Sequence, residues 1–262
     1  MKTVMKRDNI SDTAVTDSTQ MNFGGFVPLS TVDWRGRSVC VIFFRGCPVR
    51  CWYCHNAGIQ NGSDMRPVGD ILDLVRSSSL LISGVVFSGG EATMQAGPLI
   101  RLAREVRQMG LNTGLHTNGV YPGVIEELIS LRLIDLIALD MKPEWNLNTV
   151  KGKERALGTE VRQSLEICTW AYHSGELPEF QVVLTLFPAS REQIESVITV
   201  IGSDIELVLQ QGVFSGIRAL QFEDLTRIAD TLGRKVRIRT RETGEIEYEG
   251  TGNRGNAGFR QG

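Results

Sequence analysis

The chain has 262 residues, of which 42% are hydrophobic and 22% are charged, and these values exclude a chain that is mainly disordered. Its 28 basic and 30 acidic residues leave a net charge of −2, which gives no indication of a nucleic-acid or membrane partner. The longest apolar runs, such as Val39–Phe44, are far shorter than the roughly 20 residues that cross a membrane. The first residues also lack the apolar core of a secretory signal, so we expect a cytoplasmic protein.

The two ends of the chain differ in composition from the rest. Residues 1–20 are rich in Ser, Thr and Asp and show no periodicity, so we expect a flexible leader there. Residues 249–262 are rich in glycine and nearly devoid of apolar side chains, which is typical of a disordered tail. No linker divides residues 21–248, so we predict one domain over that range.

Short apolar runs alternate with amphipathic segments along this domain. The apolar runs predict seven strands, at Val39–Phe44, Gly84–Phe87, Asn112–His116, Asp135–Asp140, Gln181–Leu186, Glu206–Leu209 and Val236–Arg239. The amphipathic segments predict helices at Gly69–Ser78, Leu99–Met109, Pro122–Leu133, Gly158–His173, Ser190–Ile201 and Gln221–Leu232. This alternation predicts an α/β fold with parallel strands, either a barrel, complete or not, or an open doubly wound sheet. In both folds functional residues lie at the C-terminal ends of the strands.

Three of the five cysteines follow directly after the first predicted strand, in a Cys-x3-Cys-x2-Cys pattern formed by Cys47, Cys51 and Cys54. Three thiolates can hold three irons of a 4Fe–4S cluster and leave the fourth iron open to a small molecule. The alternative is a zinc site with His55 as fourth ligand, although its position next to Cys54 makes joint tetrahedral ligation awkward. Cys40 lies within a strand and is predicted to be a small buried hydrophobic residue.

The segment Gly46–Cys54, with the sequence GCPVRCWYC, resembles the signature of the radical S-adenosylmethionine superfamily. The resemblance implies a partial (β/α)6-type TIM barrel in which the three cysteines hold one 4Fe–4S cluster. It implies that S-adenosylmethionine chelates the open iron, and that an electron from the cluster cleaves it to a 5′-deoxyadenosyl radical. Tyr53 is then expected to pack near the adenine.

Further motifs follow the second and third predicted strands. Gly89, Gly90 and Glu91 form a Gly-Gly-Glu element, and Asn118 belongs to a Thr-Asn-Gly element. The resemblance implies that the first element contacts the amino group of S-adenosylmethionine and that Asn118 contacts its ribose. Taken alone, each element is more typical of a turn, and Gly-Gly-Glu of a turn followed by a charge at a helix N-terminus.

Charged residues end the fourth predicted strand, where Asp140 and Lys142 form an Asp-x-Lys element. The resemblance implies that both reach the cofactor, whereas the alternative is an exposed ion pair. In the fifth strand Val183 stands where related enzymes have an arginine for the cofactor carboxylate, so that contact is missing or comes from elsewhere. The segment Leu209–Gln211, at the end of the sixth strand, is expected beside the adenine or the substrate channel.

Thr31–Gly36 is similar to a Thr-Val-Asp-Gly-Pro-Gly stretch of glycyl-radical-enzyme activating enzymes, with Arg35 in place of the usual proline. The chain most resembles the activating proteins of anaerobic ribonucleoside-triphosphate reductase. The resemblance implies that it installs a glycyl radical on that partner and takes electrons from a flavodoxin or ferredoxin. The alternatives are an activating enzyme of the pyruvate formate-lyase type, or a radical enzyme with a different protein or small-molecule substrate.

Overall fold

The computed structural model describes residues 19–142, 153–188, 194 and 197–252. The predicted leader and tail lie largely outside these residues, and so does much of the helix predicted over Ser190–Ile201. Gln20 and Glu249 are described, and both are paired in strands. No helix among the described residues is long and apolar enough to span a membrane.

One ten-stranded sheet and five α-helices form the described fold. The strands are β1 (Gln20–Ser30), β2 (Val39–Phe44), β3 (Met65–Pro67), β4 (Gly84–Gly89), β5 (Asn112–Thr117), β6 (Leu136–Met141), β7 (Glu179–Leu186), β8 (Glu206–Gln211), β9 (Lys235–Thr240) and β10 (Gly244–Glu249). The helices are α1 (Val68–Ser78), α2 (Ala96–Gln108), α3 (Pro122–Ser130), α4 (Lys153–Ser174) and α5 (Phe222–Leu232). Two short 3-10 helices lie at Ala57–Ile59 and Ala92–Gln95.

The sheet is mostly parallel and open. Its order is β10-β9-β8-β7-β6-β5-β4-β2-β1-β3, and all pairs from β2 to β9 are parallel. These are the seven strands that the apolar runs predict, so the α/β prediction is confirmed. Three strands were not predicted, namely β1, β3 and β10, which pair antiparallel at the two sides of the sheet. Their glycines, prolines and exposed charged residues hide the strand pattern, because an edge strand buries little of its surface.

The core has one layer on each face of the sheet. Successive strand residues point to opposite faces, and in β2 both sets are buried because both faces are covered. Cys40, Ile42 and Phe44 belong to the large cluster that includes the buried faces of the helices. Val39 and Val41 point to the opposite face, here called the inner face, and belong to a second cluster with Trp34. The inner face is therefore filled with apolar side chains near the ends where the parallel strands begin.

The side chain of Trp34 covers the inner face at the N-terminal ends of the parallel strands. It comes from the β1–β2 loop, is only 2% exposed, and donates an indole N–H to Glu179 of β7 at 2.9 Å. Its ring packs against Gly114 of β5, where an added Cβ would lie 3.0 Å from a ring carbon. The next residue, Arg35, forms an ion pair with Glu247 of β10 at 2.6 Å. The β1–β2 loop therefore reaches across the N-terminal ends of the strands, from β2 to β7 and β10.

Replacing Trp34 by alanine is expected to lower the free energy of unfolding by about 3–5 kcal/mol, because a large buried ring would leave a cavity. Urea denaturation followed by circular dichroism measures this change. Trp170→Ala is the matched control, since Trp170 lies on α4 and is 63% exposed. Equal losses from the two substitutions would contradict the assignment of Trp34 as the side chain that covers this face.

Candidate active site

A cavity of about 230 Å³ lies at the C-terminal ends of the parallel strands, opposite Trp34. All ten site residues predicted from the sequence line it, namely Cys47, Cys51, Tyr53, Cys54, Gly89, Gly90, Glu91, Asn118, Asp140 and Lys142. They come from the cysteine loop after β2 and from the ends of β4, β5 and β6. The predicted site residues thus lie together at the C-terminal ends of the strands, as expected, while the role of each residue stays a prediction.

The cysteine loop, residues 45–56, is fixed by backbone contacts. Gly46 has a φ of +101°, which favours glycine, and donates its N–H to Ile59 at 2.8 Å. A turn is closed by the N–H of Cys54, which donates to the carbonyl of Cys51 at 3.2 Å. The guanidinium of Arg50 donates to the carbonyl of Cys47 at 2.5 Å. These contacts hold the loop so that its three cysteines face one cavity.

Three of the five cysteine thiols lie at the cavity. None of the five cysteines forms a disulfide, and the three in the loop are partly exposed, whereas Cys40 and Cys168 are buried. Among the described residues no group of three or more His, Cys, Asp or Glu side chains is arranged to hold one metal ion. A 4Fe–4S cluster takes each thiolate on a different iron, and three separate thiols at one cavity can supply these ligands. The donor set fits that cluster.

The two glycines of the Gly-Gly-Glu element allow β4 to end directly against the cysteine loop. Gly89 has a φ of +122°, and an added Cβ would lie 2.3 Å from the backbone nitrogen of Phe44. At Gly90 the added Cβ would lie 2.1 Å from the carbonyl oxygen of Gly46. The close approach seen here is thus between two backbone segments of the protein. It fixes the position of the cysteine loop relative to the sheet.

Glu91 is buried, with 2% exposure, and its carboxylate accepts four hydrogen bonds from the protein. Thr93 donates twice, once from its backbone N–H at 3.1 Å. The hydroxyl of Thr117 and the backbone N–H of Asn118 each donate at 2.8 Å. Burial raises the pKa of Glu91, and these bonds oppose that shift by stabilising the charged form. Its predicted contact with a ligand ammonium group stays a prediction.

Lys142 lies inside the cavity wall. Its side chain is 7% exposed and forms an ion pair with Asp140. The ammonium group also lies 5.4 Å from the centre of the Tyr53 ring. Tyr53 in turn packs against Phe187 with ring centres 4.8 Å apart. The alternative of a fully exposed ion pair is therefore wrong for Lys142, which is held between a carboxylate and an aromatic face.

Several cavity residues have no counterpart in the sequence predictions, among them Thr117, Gln181, Thr185 and Arg239. Val183 does line the cavity, so an arginine there would reach it. The guanidinium in the wall comes instead from Arg239 of β9, which donates to Gln210 at 3.0 Å and pairs with Glu245 at 2.6 Å. Two arginines that alternate with apolar residues in the run Val236–Arg239 were the available signal for an inward-facing cation.

The five cysteines should fall into two classes by the reactivity of their thiols, three accessible and two buried. Burial raises the pKa of Cys40 to about 12 and also raises that of Cys168, so both stay protonated at pH 8. We expect a disulfide reagent to titrate three thiols in the native metal-free protein and five after unfolding. Burial also raises the pKa of Cys47, which slows its reaction with the reagent. Cys40→Ala is the control and should lower only the count after unfolding; a lower native count would contradict the assignment.

Gly90→Ala is expected to lower the free energy of unfolding by about 1–3 kcal/mol, the usual range for overpacking, because the new methyl group would overlap the Gly46 carbonyl. Thermal and urea denaturation measure the loss. Gly97→Ala in α2 is the matched control, since nothing lies within 4 Å of its added Cβ. The control should keep or increase stability, by up to about 1 kcal/mol. Similar results for both variants would contradict the close packing at Gly90.

Sequence comparisons agree with this geometry. The sequence model of the radical S-adenosylmethionine (radical SAM) superfamily matches residues 41–199, which is more than half of the chain. The protein MJ1227 of Methanocaldococcus jannaschii, named as a glycyl-radical enzyme activating enzyme, is 34% identical over 145 residues, which are 54% of this chain and 58% of MJ1227. Pyruvate formate-lyase 1-activating enzyme of Escherichia coli K12 is 36% identical over 126 residues, 45% of this chain and 50% of that enzyme. The matched regions thus span about half of the length of each relative.

Solved structures share the fold at low sequence identity. QueE from Escherichia coli aligns with a TM-score of 0.54 at 14% identity, covering 84% of this chain and 94% of QueE. A structure of TYW1 with a bound lysine-pyruvate adduct aligns with a TM-score of 0.55 at 14% identity, covering 81% of this chain and 80% of the TYW1 chain. The expected partial TIM barrel is thereby confirmed, and the superfamily uses a 4Fe–4S cluster and S-adenosylmethionine. The chain belongs to the radical SAM superfamily.

Proposed function

We propose that this protein is a glycyl-radical-enzyme activating enzyme. In this proposal Cys47, Cys51 and Cys54 hold one 4Fe–4S cluster at which S-adenosylmethionine is reductively cleaved. The observation that carries the proposal is the shared cavity, which brings the three thiols together with the Gly-Gly-Glu and Asp-x-Lys elements. The names of the relatives above support the choice of activating enzymes within the superfamily.

The cluster and S-adenosylmethionine, when bound, supply the one-electron cleavage of a sulfonium and the removal of a hydrogen atom from the substrate. The residues of this chain bind and orient. Tyr53 and Lys142 form one wall, on which an adenosine group can stack and bond. Trp52 packs against Tyr53 and Phe187, with ring centres 5.0 and 4.7 Å away, so an aromatic layer lies beside the cysteines of the loop.

A polypeptide segment is the substrate that the inner wall supports best. Gln181, Thr185 and Gln210 give this wall amide and hydroxyl groups, as a peptide backbone has. Within the protein Gln210 bonds to Thr185 and Arg239, and Gln181 accepts from Arg237. The positive charge of Arg239 is balanced by Glu245, so the wall offers little uncompensated charge to an anionic small molecule. A neutral glycine-containing loop of a partner enzyme meets these conditions.

Two partners deserve direct comparison, since the resemblance favours anaerobic ribonucleotide reductase and one relative is named for pyruvate formate-lyase. The reconstituted protein, S-adenosylmethionine and a reduced flavodoxin or ferredoxin are incubated without oxygen with each candidate. Electron paramagnetic resonance then detects a glycyl radical. A signal on the reductase alone supports the first partner and a signal on the lyase alone supports the second. No signal on any glycyl-radical enzyme, despite cleavage of S-adenosylmethionine, would contradict an activating function.

Alanine at any of the three loop cysteines is expected to reduce 5′-deoxyadenosine formation to the background level, because each thiolate is assigned to one iron. Product is measured by chromatography after anaerobic reconstitution and reduction. Cys40→Ala is the matched control and should retain full activity, since Cys40 is buried in β2 away from the cavity. Loss of product in the Cys40 variant equal to that in the others would sink the ligand assignment.

A further inference from the structure

The side chain of Asn118 has a fixed orientation toward a cysteine sulfur. Its amide oxygen accepts the backbone N–H of Val120 at 3.1 Å, and its amide nitrogen lies 3.6 Å from the sulfur of Cys47. Oxygen and nitrogen of an asparagine amide can be told apart by their partners, and only the oxygen can accept from an N–H. The NH2 group must therefore face Cys47, at a distance suited to an N–H···S hydrogen bond.

The turn that carries Asn118 is held rigidly from several sides. The backbone N–H of Asn118 donates to the buried carboxylate of Glu91 at 2.8 Å. The following Gly119 has a φ of +77°, and an added Cβ would lie 2.6 Å from the side chain of Leu139. The carbonyl of Gly119 accepts the hydroxyl of Ser164 at 2.6 Å. Asn118 itself is only 9% exposed, so its amide has little freedom to turn away from the sulfur.

We propose that Asn118 is a positioning residue that donates an N–H to the sulfur of Cys47 and thereby raises the reduction potential of the cluster. This inference rests on the proposed function only in requiring that Cys47 holds an iron of that cluster. A hydrogen bond to a ligating sulfur stabilises the reduced cluster more than the oxidised one, because the reduced cluster carries more negative charge. The contact eases the uptake of an electron from a protein donor.

This role differs from the ribose contact that the resemblance implies for Asn118. An asparagine amide carries two N–H groups, so one can bond to the sulfur while the other meets a ligand. The bond to Cys47 exists in the protein without S-adenosylmethionine. Its effect on the cluster is therefore measurable with neither S-adenosylmethionine nor a partner enzyme present.

The test is a redox titration of the reconstituted cluster, followed by electron paramagnetic resonance, in the wild type and in Asn118→Leu. Leucine has a similar size but cannot donate. We expect the midpoint potential to become more negative by about 59 mV, which is a tenfold change in a one-electron equilibrium. Asn118→Asp, the isosteric variant without the N–H donor, should shift the potential in the same direction. Asn112→Leu is the matched control, because Asn112 lies at the other end of β5, and it should leave the potential unchanged.

A second measurement needs no variant that must take up the cluster. Wild-type protein labelled with 15N only in asparagine side chains should show a 15N coupling to the reduced cluster in pulsed electron paramagnetic resonance. An unchanged potential in Asn118→Leu, an equal shift in Asn112→Leu, or a wild type without the coupling would each overturn the inference. Failure to activate any glycyl-radical enzyme would leave these readings intact, so the two proposals fail separately.

Discussion

The buried carboxylate of Glu91 is the point at which the cysteine loop, β4 and β5 are joined. The backbone N–H of Glu91 donates to the carbonyl of Gly46 in the cysteine loop at 2.8 Å. The carboxylate of Glu91 accepts from Thr117 and Asn118 at the end of β5. A buried carboxylate is stable only when its oxygens are hydrogen-bonded, so these partners cannot move independently. The site is thus assembled by one residue that bonds protein groups on three sides.

The cysteine loop is held from the other side of the cavity by aromatic rings. Trp52 packs against Phe187 after β7 and against Phe214 after β8, with ring centres 4.7 and 5.3 Å away. The loop therefore lies between the glycines of β4 and these rings. Trp52 remains about half exposed, which leaves an aromatic surface at the mouth of the cavity. A loop fixed on both sides can present its thiols in one arrangement before any cluster binds.

The inner face of the sheet differs between the N-terminal and the C-terminal ends of its parallel strands. Trp34, Val86 and Leu136 fill the inner face where the strands begin, and this packing stabilises the fold. Near the ends where the strands finish, the inner face carries polar side chains such as Asp140 and Gln210. Barrels of alternating strands and helices commonly separate stability and activity in this way. The half-exposed ion pair of Arg35 with Glu247 connects the β1–β2 loop with β10 at the N-terminal ends of the strands.

The sequence alone determined the elements whose signal is local. Buried parallel strands read as continuous apolar runs, and the three cysteines lie within eight residues, so both could be recognised without the fold. The tertiary structure decided what depends on distant segments. The contact of Asn118 with Cys47 joins residues 71 apart, and the bonds of Glu91 to β5 span 26 and 27 residues. No spacing rule encodes such partners, because they follow from which strands become neighbours. For the same reason, the edge strands and the partners of Arg239 could be identified only once the sheet order was known.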